Sequence, residues 1–218
     1  MIVLDLFSES RPQWGDPKST WYRKEGFGQH DWIYCMLLNY GGNIGLHGKM
    51  NHVIDEFYKA KKSPFGKTLK GVGMTMEGSE NNPVMFELLT ELPWRAEKFD
   101  KDQWIKNYTF ARYGKTNKTV QDAWILLSNS IYNCPPENVQ QGTHESIFCA
   151  RPSEHPYQVS SWSEMEDYYD PEDVIHAAAM LVSVADQFKG INNFEYDLVD
   201  IARQAIAEKG RRIEKVVE

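Results

Sequence analysis

Apolar positions along this chain follow two patterns, short continuous or alternating runs at the start and stripes of helical spacing afterwards. Met1-Ile2-Val3-Leu4-Asp5-Leu6-Phe7 is an apolar run broken by one acid, the pattern of a parallel strand buried on both faces. Asp31-Trp32-Ile33-Tyr34-Cys35-Met36-Leu37-Leu38-Asn39 is a second such strand. In the third, Leu69, Gly71, Gly73 and Thr75 alternate with Lys70, Val72, Met74 and Met76, giving a bulky face and a glycine face that allows close backbone approach. Met50, Val53, Ile54, Phe57 and Tyr58 keep helical spacing before Ser63-Pro64 stops the run. After the third strand, Gly78 permits a turn and Asn82-Pro83 predicts a helix start, with Asn as N-cap and Pro at the first position. Met85, Leu88, Leu89 and Leu92 continue that helix, and Pro93 ends it. The residues from Ser8 to Asp31 form a loop too long for a plain connector, which predicts a functional or partly helical segment. Strand, long loop, strand, loop, helix, strand and helix is βα-repeat order, with the loops that follow the strands gathered at one end.

Past Pro93 the strand pattern stops. Asp100 caps a predicted helix carrying Trp104, Tyr108 and Ala111, and Val120, Ala123, Trp124, Leu127 and Ile131 mark another that ends before Cys134-Pro135-Pro136. Asp170-Pro171-Glu172-Asp173 opens a further helix with a cap, an N1 proline and two acids at its positive end. Its expected buried face is Val174, Ala178, Leu181, Val182, Ala185 and Phe188; a last helix uses Leu198, Ile201, Ala202, Ala205 and Ile206. The expected fold class is α/β followed by all-α, with residues 1–97 in the first domain and 98–218 in the second. The chain opens inside a strand and closes on a helix without an evident cap, so it reads as a piece of a longer fold.

Composition narrows the function classes. The 218 residues carry a formal net charge of −7 and contain no basic block, so nucleic acid is not an expected partner. Seven Trp and eleven Tyr are flat side chains of the kind that line carbohydrate clefts, as well as cores. Cys35, Cys134 and Cys149 share no metal-ligand spacing and the six histidines form no HExxH pattern, so no metal site or cofactor is expected. Cys35 reads as a core residue, and a Cys134–Cys149 bridge is left open. No apolar run is long enough to predict membrane insertion.

Glu77 is the candidate for chemistry. A carboxylate at the carboxyl end of a strand, just before a capped helix, occupies the place where α/β folds collect ligands and catalytic groups; spacing alone fits a solvated loop acid as well. Tyr34, Asn39 and Asn43 lie at the end of the second strand and in its glycine-rich loop, where they could stack on or hydrogen-bond a hexose, or serve packing and the turn.

The ordered residues Tyr34-Cys35-Met36-Leu37, Asn39-Tyr40-Gly41-Gly42-Asn43, Gly45-Leu46, Gly48, Val72-Gly73-Met74, Glu77-Gly78 and Asn82 resemble the glycoside hydrolase family 89 α-N-acetylglucosaminidases. The resemblance continues through Glu91-Leu92, Trp94-Arg95, Arg112-Tyr113-Gly114, Ala123-Trp124, Ile131-Tyr132-Asn133-Cys134, Tyr196-Asp197-Leu198 and Arg203-Gln204-Ala205, so it covers almost the whole chain. It implies the last strands of a (β/α)₈ barrel joined to the first part of a helical domain, and retaining hydrolysis of terminal α-linked N-acetylglucosamine. Glu77 falls on the family's nucleophile position. The family's general acid/base lies in an Asn-Glu motif on an earlier strand, without a counterpart here. The resemblance also implies the remaining N- and C-terminal parts of the same enzyme as partners, an N-acetylglucosamine-terminated glycan as ligand, and a secreted, periplasmic or lysosomal location. Ile44 stands where family members carry His, and Tyr34 where Trp is common. Trp94-Arg95 is expected to tie barrel to helical domain.

Retention needs two carboxyl groups about 5–5.5 Å apart, one attacking the anomeric carbon and the other protonating the leaving oxygen. Asp5 and Glu9 are the remaining acids expected near the same rim, with structural or ligand-orienting roles. The rival reading is a non-catalytic carbohydrate-binding or interaction domain.

Overall fold

The computed structural model describes residues 1–15, 17–18, 22–38, 45–78, 82–136 and 167–217, with side chains to 213. Three parallel strands, β1 (Ile2–Asp5), β2 (Asp31–Met36) and β3 (Leu69–Met74), form a sheet in the order β1-β2-β3. Helix α1 (Met50–Lys62) crosses from β2 to β3 and α2 (Pro83–Glu91) follows β3. Then come α3 (Lys101–Tyr113), α4 (Lys118–Asn129), α5 (Pro171–Ser183) and α6 (Asn192–Val217). This is a parallel β/α segment followed by a helical region, as the apolar pattern predicts.

Register decides which face of the sheet is core. Val3 pairs with Trp32 and Asp5 with Tyr34, while Tyr34 pairs with Val72, so these side chains share the face turned to the helices. Trp32 donates its indole N–H to the Phe65 carbonyl at 2.9 Å, and the Tyr34 ring meets Phe57 of α1 edge-on at 5.8 Å. Phe27 and Trp14, from the long segment after β1, close over Trp32 at 5.0 and 6.0 Å. That segment therefore packs as a turn-rich cover; no helix forms among its described residues.

The opposite face carries Leu4, paired with Ile33, and Ile33 and Cys35, paired with Gly71 and Gly73. A Cβ on Gly73 would lie 2.8 Å from the Cys35 sulfur, which is why this face needs glycine. Here the expectation of burial on both sides of β1 fails: Ile2, Leu4 and Leu6 are 61, 53 and 53% exposed. The alternation that hides Val3 and Asp5 turns these three to a face that no described residue covers.

Helix ends match the predicted caps in two places and differ in a third. Asp100 accepts from Gln103 N at 2.7 Å and Asp170 from Glu172 N at 2.9 Å. Asn82, in contrast, is left-handed (φ 57°) and makes no cap bond; Pro83 alone starts α2. The predicted core face of α5 is corrected at Val182, and that of α6 at Ile206: these are 59 and 66% exposed, because the apolar stripe is wider than the buried side. Among the described residues no helix is long and apolar enough to cross a membrane.

Between the two regions, Glu91 of α2 accepts from the Trp104 indole of α3 and pairs with Arg95, whose guanidinium lies 4.5 Å from the Phe99 ring centre. Trp94 is 88% exposed, so of the expected Trp94-Arg95 tie only Arg95 takes part. Arg112 of α3 reaches Glu87 of α2 at 3.5 Å and is gripped by Asp197 of α6 at 2.5 and 2.8 Å.

Candidate active site

Three parallel strands point their carboxyl ends the same way, so the segments after Asp5, Met36 and Met74 emerge on one rim. The rim is stitched by backbone bonds, with Ser8 N donating to Cys35 O at 3.0 Å and Thr75 N to Met36 O at 3.1 Å. The Thr75 hydroxyl adds a longer reach, donating to Leu6 O at 2.7 Å across the width of β2. Glu77 stands two residues beyond Thr75 with its side chain exposed. A carboxylate just past a bonded strand end and open to solvent can approach an incoming electrophile.

The two other rim acids are built in the opposite way. Asp5 is buried, accepting from the Ser8 hydroxyl at 2.8 Å and from Gln13 N at 3.4 Å; desolvation raises its pKa against the lowering effect of those bonds and of Arg23. Glu9 is buried too, and its Oε1 accepts from both Leu37 N and Leu38 N at 2.9 Å, while Oε2 has no hydrogen-bond partner among the described residues. Desolvation pushes its pKa up to about 7, although those amides and Lys49 pull it down. Leu38, which it holds, has φ 54°, a left-handed conformation that a branched side chain rarely adopts. Asp5 and Glu9 therefore order the rim from within. Burial, with the nearby charges of Asp5 and Glu9, raises the Cys35 thiol to about 11, which leaves it protonated and unsuited to nucleophilic attack at neutral pH.

The other residues singled out in the sequence fare differently. Tyr34 is fully buried on the helix-facing side, its ring against Phe57 and its hydroxyl without a partner among the described residues; this corrects its assignment to sugar contact, since alternation along β2 turns it from the rim opening into the core. Asn39 and Asn43 lie outside the described residues, as does Cys149 with its pairing to Cys134. The described residues on either side of 39–44 carry what sequence reasoning missed. Gly45 O accepts from Asn82 Nδ2 at 3.2 Å and His47 N donates to Asn82 Oδ1 at 3.1 Å, so the left-handed Asn82 is a clasp between the β2–α1 connection and the start of α2. Leu46 N donates to Gln204 of α6 at 3.0 Å. Among the described residues no group of three or more His, Cys, Asp or Glu could hold a metal ion.

Comparison with known proteins decides the family. Residues 1–96 match the family model of the α-N-acetylglucosaminidase (NAGLU) TIM-barrel domain, and residues 104–217 match the model of the NAGLU C-terminal domain. The chain belongs to the family 89 α-N-acetylglucosaminidases. It is 35% identical over 209 residues to the human α-N-acetylglucosaminidase, covering 95% of this chain and 26% of the human one. Among solved structures it is similar to a family 89 glycoside hydrolase from Clostridium perfringens in complex with 2-acetamido-1,2-dideoxynojirimycin, with 31% identity and a TM-score of 0.86. That match takes in 99% of this chain and 23% of the clostridial one. A second clostridial structure, with two glutamates replaced by glutamine, holds its substrate GlcNAc-α-1,4-galactose (31% identity, TM-score 0.85, 99% of this chain and 23% of that one). The chain thus spans about a quarter of the length of these family members, comprising the end of the barrel domain and part of the C-terminal domain.

Proposed function

We propose that this chain is the part of a retaining exo-α-N-acetylglucosaminidase that carries the nucleophile, Glu77, and that it works on N-acetylglucosamine-terminated glycans once the rest of the barrel is present. The observation that carries the reading is Glu77 itself, exposed at the carboxyl end of parallel strand β3 in a chain of this family. In the mechanism, a Glu77 oxygen attacks the anomeric carbon from the face opposite the leaving glycoside. A protonated carboxyl from an earlier strand gives its proton to the departing oxygen, and water then releases the sugar with that second group as base. Asp5 and Glu9 are not assigned as that second group, because both carboxylates are buried and one oxygen of each is held from within, Asp5 Oδ2 by Ser8 and Glu9 Oε1 by two backbone amides. Asn39 and Asn43 are assigned to hydroxyl or acetamide contacts, and the domain boundary is taken at residues 97 and 98. Family membership also favours a secreted, periplasmic or lysosomal location, which fractionation of expressing cells checks.

Partners follow from the uncovered faces. A parallel sheet is stable with both sides covered, and Ile2, Leu4 and Leu6 call for the earlier strands of the barrel. Along α6, Tyr196, Val199, Ile206 and Ile213 make one exposed apolar stripe suited to a further helix of the same enzyme. The test is hydrolysis of an aryl α-N-acetylglucosaminide by the chain alone and by the chain joined to the rest of its barrel. The first should be inactive and the second active, with an activated 2-fluoro sugar labelling Glu77. Robust hydrolysis by the chain alone, or labelling of another side chain, overturns the reading.

A further inference from the structure

From Gly45 to Met50 the β2–α1 connection is held by the helical region as much as by the barrel. Met50 N donates to Tyr132 O at 2.9 Å, Cys134 N donates to Gly48 O at 2.8 Å, and the His47 ring lies 2.9 Å from the Tyr168 hydroxyl. Gly48 is wedged so tightly that a Cβ there would sit 2.5 Å from the Met85 sulfur and 3.1 Å from the Tyr132 ring. One bond reaches furthest across the chain. Leu46 N is satisfied by a side chain 158 residues away, Gln204 Oε1 at 3.0 Å, and both groups are buried.

Gln204 can serve in only one orientation. Its Nε2 donates to Glu208 Oε1 at 2.6 Å, and a carboxylate cannot donate in return, so the carboxamide oxygen must face Leu46. Glu208 is fixed in turn by the Tyr169 hydroxyl at 2.7 Å and by Arg211, which also pairs with Asp167 at 2.8 Å. Every member except Leu46 belongs to the helical region, and Gln204, Glu208 and Arg211 are buried. A network this satisfied is rigid, and the backbone bonded to its end is rigid with it.

We propose that Gln204 is a positioning residue of the sugar site: from the helical region it holds the Leu46 backbone, and so sets the Gly45–Gly48 end of the β2–α1 connection, which Asn82 ties to the segment that follows Glu77 and leads into α2. The proposal rests on the glycosidase reading above. It makes the helical region part of the site's construction, with the sugar felt by residues that Gln204 never touches. Misplacing this segment weakens ground state and transition state together, so KM should move and kcat should not.

The test uses the complete enzyme with an aryl α-N-acetylglucosaminide. Gln204→Leu removes the acceptor and should raise KM about tenfold with kcat within about twofold, the effect of one lost buried hydrogen bond on binding. Hydrogen exchange at the Leu46 amide should quicken while that of α3 stays unchanged. An unmoved KM, a loss of kcat that simply tracks a lower melting temperature, or an unchanged exchange rate at the Leu46 amide overturns the proposal. Absence of turnover in the unsubstituted complete enzyme removes the glycosidase reading and this proposal with it, so the two failures are told apart.

Discussion

The barrel segment and the helical segment treat their buried polar groups in opposite ways. In the helical segment the charges around Asp197 and Glu208 are closed into finished networks, although the Tyr108 hydroxyl beside the first has no partner among the described residues. Asp197 takes two bonds from Arg112 and one from Tyr113 at 2.7 Å, Tyr113 takes one from the Trp124 indole at 2.9 Å, and Glu208 is saturated by Tyr169, Gln204 and Arg211. On the barrel rim a buried carboxylate oxygen of Glu9 is left without a partner among the described residues, Leu38 is forced left-handed, and apolar strand residues face outward. The incomplete carboxylate and the strained backbone thus lie on the proposed catalytic rim, and the paired charges lie in the helical segment. Substitutions in the two segments should therefore fail in different observables.

The largest effect should come from Glu77→Gln. In the complete enzyme it removes the carboxylate proposed as nucleophile, and on that reading turnover should fall on the order of a thousandfold or more. Because Glu77 is exposed, the melting temperature should hardly move. Steady-state hydrolysis beside thermal denaturation reads both. The counterpart in the helical segment is Asp197→Ala, which leaves the Arg112 guanidinium only the 3.5 Å contact to Glu87 and the Tyr113 hydroxyl without its acceptor. It should cost about 3 kcal/mol of stability, measured by chemical denaturation. A folded but inactive Asp197→Ala enzyme would break the division of labour between the segments.

Glu9 sharpens the comparison through pH. Its folded-state pKa is raised from 4.5 to about 7, so between these values the folded protein binds a proton that the unfolded chain has released. Stability from this group is complete below about pH 4.5 and declines as pH rises through about 7, reaching a loss of about 3 kcal/mol at pH 8. Glu9→Gln keeps an acceptor for Leu37 and Leu38 without the charge, so its denaturation midpoint should change less between pH 5 and pH 8 than that of the unsubstituted chain. An equal slope in the two proteins would show that Glu9 is ionised at no cost.

How far all this was legible depended on the range of the interaction. The strands, α1 and the caps at Asp100 and Asp170 are written in local periodicity and in side chains that bond two or three residues along, so the pattern carries them. Burial on one face is also local, but which face is covered is not, and for that reason the pattern alone places Val182, Ile206 and the outer face of β1 in the core although the fold leaves them exposed. Glu9 stood out as an acid near the rim, yet its partners Leu37 and Leu38 lie 28 and 29 residues away, and no local rule encodes such a bond. The same holds for Gln204, which was visible only as part of the Arg203-Gln204-Ala205 run.

Asn82 and Asp100 turn this last point into the smallest pair of predictions. Both look like N-caps in the sequence, and a true cap loses about 1 kcal/mol on truncation to Ala. Asp100 is one: its carboxylate meets Gln103 N at the first turn of α3, and Asp100→Ala should cost about that much, with Asp100→Asn retaining most of the stability. Asn82 bonds Gly45 and His47 instead, and holds a left-handed backbone that Ala tolerates poorly. Asn82→Ala should cost more, about 2 kcal/mol, and Asn82→Asp, a good cap that cannot donate to Gly45 O, should fail to rescue it. Urea denaturation of the four variants gives the order. If Asn82→Asp proves as stable as the unsubstituted chain, Asn82 acts on α2 as an ordinary cap, and the clasp to the β2–α1 connection contributes nothing to the fold.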